Sequence, residues 1–87
     1  MIFKVQFGKQ IHLINSNDKQ RIDEFLTILP SVFKTLPNKY SLSYLDEDGD
    51  EITLKDQSDY AVLLNSGLKT VRITIRESNE EFIEATN

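Results

Sequence analysis

Tyr44-Leu45-Asp46-Glu47-Asp48-Gly49-Asp50-Glu51-Ile52-Thr53-Leu54 reads as a β-hairpin with an acidic turn. Apolar residues alternate on both sides, and Asp and Gly at the tip are residue types that tolerate tight turns. A lone hairpin cannot bury its apolar face, so the rest of the chain must supply more strands and a cover. On the N-terminal side, Ile2 to Phe7 alternates, with Phe3, Val5 and Phe7 on one face and Ile2, Lys4 and Gln6 on the other. Gly8-Lys9-Gln10 is a short turn, and Ile11 to Ile14 is a second strand expected to put Ile11 and Leu13 on the core face. Asn15-Ser16-Asn17-Asp18 is a turn cluster with N-cap residue types. Ile22, Phe25, Leu26 and Leu29 follow helical spacing. Pro30 is expected to stop that helix near Leu29, although Val32 and Phe33 keep its phase and allow a kink or a fresh turn there.

Leu36-Pro37-Asn38 separates the helix from the strand Tyr40 to Leu45 that leads into the acidic hairpin. Asp56, with Asp59 three positions on, predicts a capped short helix that turns Tyr60, Leu63 and Leu64 inward and stops at Gly67. Val71, Ile73 and Ile75 form a last strand, with Arg72, Thr74 and Arg76 on its other face. The order is β-β-α-β-β-α-β, an α+β chain with one mixed sheet covered by the long helix. Residues 1–77 read as one domain and 78–87 as a polar tail or the start of a linker.

The charge is segregated. The first 45 residues hold six Lys/Arg against three Asp/Glu, and residues 46–68 hold seven acids against Lys55 alone. With a net charge of −4 and a pI near 4.8, nucleic acid is excluded as the main partner. Without cysteine there is no disulfide frame and no thiolate metal site. No apolar run is long enough to span a membrane and no signal-peptide pattern opens the chain, so the expected location is cytoplasmic.

Acids crowded at one turn repel one another unless a cation relieves them. Asp46, Asp48 and Asp50 stand at the first, third and fifth places of a calcium loop. Glu51 stands where such a loop needs glycine and Gln57 where it needs glutamate, so an EF-hand is excluded. His12 is the only histidine, on the outer face of its strand by the phase above, and has no second ligand or base at useful spacing. Ser16 and Ser66 have no base beside them, and no glycine-rich phosphate loop is present. No enzyme, metal or cofactor is expected. Tyr44 and Phe25 read as core.

The acidic segment resembles the motif of the PB-one (Phox and Bem-one) domain: an aromatic residue, Asp-x-Asp-Gly-Asp, a short strand, then an acid opening a helix. Here the aromatic is Tyr44 and the acids are Asp46, Asp48, Asp50 and Asp59, with Glu47 among them. The resemblance spans about residues 2–76 and implies a ubiquitin-like β-grasp, with the first and last strands side by side in the middle of the sheet. It implies a scaffold or adaptor function in which the acidic motif of one copy docks on a first-strand lysine of another. Lys4, within Ile2-Phe3-Lys4-Val5-Gln6-Phe7-Gly8, stands in that place. Members with both halves are of type I/II and form hetero- or homo-oligomers. Many also carry second-strand arginines, where this chain has His12 and Leu13. In a β-grasp, Arg72 or Arg76 on the flanking last strand is expected to supply that charge. Two other readings stand beside this one. The first is a one-faced acidic adaptor for a basic partner. The second is a ubiquitin-like domain without the terminal Gly-Gly needed for conjugation, since the sequence ends Glu84-Ala85-Thr86-Asn87.

Overall fold

A two-residue loop sets the phase of the first hairpin. In the computed structural model, which describes residues 1–16 and 21–78, β1 (Ile2–Phe7) pairs antiparallel with β2 (Gln10–Asn15), Phe7 opposite Gln10. Gly8 takes φ 61°, the left-handed first position of a type II′ turn whose twist suits a hairpin. Because Gln10 belongs to the strand and not to the turn, Ile14 faces Phe3 in the core, while Leu13 stands opposite Lys4 and Ile11 opposite Gln6 on the other face. The expectation that Ile11 and Leu13 face the core is therefore corrected. One residue of turn length inverts every side chain of a strand. His12 moves with them onto the covered face, edge-on to the Phe33 ring at 4.9 Å between centroids.

Helix α1 (Ile22–Val32) is entered at Arg21, whose backbone N–H donates to Glu24 Oε1 at 2.8 Å. Asn17 and Asp18, offered as capping residues, lie outside the described residues. Pro30 does not stop the helix at Leu29. It sits in the last turn, where the missing N–H costs only one bond, and Phe33 N–H closes the end on the Leu29 carbonyl at 2.8 Å. Continuing the phase buries Phe33, which supplies the compensation.

Strands β3 (Tyr40–Leu45) and β4 (Glu51–Leu54) form the acidic hairpin, α2 (Gln57–Leu64) follows, and β5 (Thr70–Glu77) closes the sheet. The sheet order is β2-β1-β5-β3-β4, with β1 and β5 parallel and every other pair antiparallel. A parallel pair needs a crossover, and the intervening segment with both helices provides it. Phe3, Val5, Ile14, Leu42, Tyr44, Leu54, Val71, Ile73 and Ile75 form the covered side of the sheet; Phe25, Leu29, Phe33, Tyr60 and Leu63 pack onto them. Phe3 lies edge-on to Phe25 at 5.2 Å and to Tyr60 at 6.1 Å, so one first-strand side chain joins both helices to the sheet. The opposite face of the sheet is open and carries Lys4, Leu13 and Arg72. A β-grasp, two helices on one side of a five-stranded mixed sheet, is thus complete within residues 2–77. The proposed tail beyond Ser78 lies outside the described residues.

Candidate functional site

The acidic turn is built from its own backbone. Gly49 N–H donates to the Asp46 carbonyl and Asp46 N–H to the Asp50 carbonyl, each at 3.0 Å. Gly49 takes φ 84°. This is a three-residue loop, Glu47-Asp48-Gly49, with glycine in the left-handed bulge position that a side chain rarely adopts. Asp46 then turns inward: its Oδ1 accepts the N–H groups of both Asp48 and Asp50 at 2.9 Å. Glu47, Asp48 and Asp50 point to solvent and make no hydrogen bond or ion pair through their side chains among the described residues. Carboxylate oxygens of Asp46, Asp48 and Asp50 come within 4.8 Å of one another.

Asp59 reaches the same end of the molecule from α2. The Asp56 carboxylate caps the helix by accepting Asp59 N–H at 3.1 Å, and Asp59 Oδ2 accepts Lys55 N–H at 2.9 Å. The expected capping pair is therefore formed, with Asp59 bonding back to Lys55. Tyr44 shows that turn and helix start are neighbours. Burial raises its hydroxyl pKa first, and the negative charges of Asp46 and then Asp59 raise it further. Gln57 fixes the helix start from outside the acidic group, its Oε1 accepting Ile22 N–H at 2.8 Å. Sequence reasoning missed this tether because nothing local pairs positions 22 and 57.

Lys4 and Arg72 occupy partnered positions on adjacent parallel strands, ~4.8 Å apart in the sheet. Neither makes a hydrogen bond or ion pair among the described residues. Arg76, four residues on, is engaged elsewhere. It donates to Glu51 Oε2 and reaches Ser43 Oγ at 3.4 Å, while Ser43 donates to Glu51 at 2.6 Å. Those bonds, Arg76 first and Ser43 second, hold the Glu51 carboxyl below its ordinary pKa. Of the two arginines expected beside Lys4, Arg72 stands there, and Arg76 instead braces the base of the acidic hairpin. Glu51 was not among the expected site residues. Its role depends on a diagonal contact across β5, β3 and β4 that no sequence spacing reveals. Leu13 is the second-strand neighbour of Lys4 on the open face, and His12 faces the other way.

The comparisons agree with this architecture. The model of the PB1 domain family matches residues 1–78. The chain belongs to the PB1 domain family, and it is thereby a protein–protein interaction module from a family that is not one of enzymes. Among solved structures, the AtNBR1-PB1 domain superposes with a TM-score of 0.76 at 20% identity, over 90% of this chain and 97% of that one. A cryo-EM structure of the AtNBR1-PB1 filament (L-type) gives 0.75 at 24% identity, over the same 90% and 97%. No curated protein matches the chain in sequence.

Proposed function

We propose that this domain associates front to back with PB1 domains, including copies of itself. Asp48, Asp50 and Asp59, with Glu47 at the rim and Asp46 holding the loop, form the acceptor face; Lys4 and Arg72 form the donor face. The carrying observation is the in-register pair Lys4 and Arg72, two cations with no partner within the described chain, on a molecule whose acidic groups cluster at another place. Carboxylates accepting from lysine and arginine make charge-assisted hydrogen bonds, which set orientation and speed encounter. Arg76 contributes indirectly, by bracing the hairpin through Glu51. Both halves on one chain make it type I/II, similar in that respect to the N-terminal domain of the Trk-fused-gene protein. The structure of an AtNBR1-PB1 filament supports the homo-oligomeric reading by likeness of fold. A cytoplasmic location belongs to the same proposal and is checked by subcellular fractionation.

Because the two faces differ, self-contact is heterologous and gives a ring where the rotation closes and a filament where it does not. Lys4→Ala and Asp48→Ala are each expected to give monomers, and their mixture only a dimer, since each retains one intact face. Removing one member of a desolvated pair costs ~2–5 kcal/mol, a large share of the roughly 8 kcal/mol of a micromolar complex. Sedimentation velocity on the two variants and their mixture tests this. Assemblies that persist in both variants sink the proposal. A second reading, the one-faced acidic adaptor, is favoured by Leu13 standing where many members have arginine. It predicts that only Asp48→Ala affects partner binding.

A further inference from the structure

Both proposed faces carry aliphatic side chains that the fold leaves in solvent. On the open side of the sheet, Leu13 is 68% exposed and Ile11 53% exposed, with Leu13 directly opposite Lys4. On α2, Val62 is 65% exposed and lies three residues after Asp59, hence on the same side of the helix. The helix cannot turn Val62 inward, because Tyr60 and Leu63 hold its buried face. Each face therefore combines one sign of charge with an exposed aliphatic group, and a second copy of this chain satisfies both requirements at once.

We propose that Leu13 and Ile11 form an apolar seat beside Lys4 and Arg72 that receives Val62 of a second copy, whose Asp59 meets the cations. This rests on the front-to-back reading and adds a partner requirement to it. A domain with acids alone leaves the seat uncovered, whereas one with an aliphatic residue a helical turn beyond the acid fills it. The charges then supply steering and orientation, and the aliphatic contact supplies affinity that salt does not screen.

The test is a double-mutant cycle on self-association, read by sedimentation equilibrium from low to high salt. Leu13→Ser and Val62→Ser are solvent-facing changes, and unchanged thermal midpoints establish that each variant is folded. Each is expected to weaken self-association about tenfold, the size set by burying one aliphatic side chain. The slope of affinity against salt is expected to stay at the wild-type value. The double variant is expected to be little weaker than either single one, because both remove the same contact. Lys4→Ala serves as the contrast, weakening association and flattening the salt slope. If Leu13→Ser and Val62→Ser leave affinity unchanged while Lys4→Ala breaks the assembly, the apolar seat is wrong and the front-to-back reading stands. Fully additive losses in the double variant place the two residues in separate contacts and overturn the pairing. A wild-type chain that is monomeric at every concentration and salt overturns both.

Discussion

Asp46 and Asp48 are two positions apart and have different tasks. Asp46 spends its carboxylate on two backbone N–H groups of the loop, whereas Asp48 presents its own to solvent. Asp46→Ala is expected to lower stability by about 1 kcal/mol, the net worth of such bonds near the surface. Asp48→Ala is expected to stay within about 0.5 kcal/mol. Urea denaturation of the two variants separates them, and equal losses would mean that both acids are structural. Glu51 adds a pH dependence of known sign. Its folded pKa is lowered, by the Arg76 hydrogen bond first and that of Ser43 second. A group of this kind stabilises the fold above its unfolded pKa, and the contribution is lost as pH falls through the lower folded value. The thermal midpoint of Glu51→Gln is therefore expected to lie below that of the wild type at neutral pH. The two curves should meet in acid, below the ordinary carboxylate range. A gap independent of pH would remove the ion pair as its cause. That acids crowd this turn was legible in the sequence. Which of them the loop consumes was not, because Asp46, Asp48 and Asp50 are chemically alike until the backbone assigns their neighbours.

At the scale of the element, β2 is the instructive case. Its residues Ile11, Leu13 and Ile14 offer apolar side chains in both phases, so alternation alone does not choose a face. The turn chooses, since a two-residue Gly8-Lys9 loop places Gln10, His12 and Ile14 on the covered side. Ile14→Ala is expected to cost about 2–3 kcal/mol as a buried truncation at a sheet edge, and Leu13→Ala within about 0.5 kcal/mol. Chemical denaturation gives both values, and the reverse order would place Leu13 in the core after all. By contrast, β5 was legible throughout: Val71, Ile73 and Ile75 are its only apolar residues and share one phase, and all three are buried. Helix α1 lies between these cases. Its apolar spacing held past Pro30 because burial of Phe33 outweighs a single missing bond at a helix end.

For the whole molecule, two unlike faces on one domain predict association driven by mass action and weakened by salt. Light scattering behind size exclusion is expected to show mass rising with protein concentration at low salt and falling as salt shortens the screening length. Mass that ignores salt would contradict a charge-led contact. Local signals in the sequence, alternating runs, a capped short helix and a glycine-centred acidic turn, determined the element order β-β-α-β-β-α-β. The β-grasp class was implied by the likeness of that acidic turn and its following helix to the PB-one motif. Only the tertiary structure decided what stands beside Lys4. The parallel pairing of β1 with β5 brings Arg72 level with it across 68 positions of sequence. The β1–β2 register sets Leu13 on its other side, and the reach of Arg76 to Glu51 takes that arginine out of the group. The physical reason is the same in each instance: a face is assembled from strands distant in the chain, and its composition depends on register, which local patterns constrain only through the turns that join them.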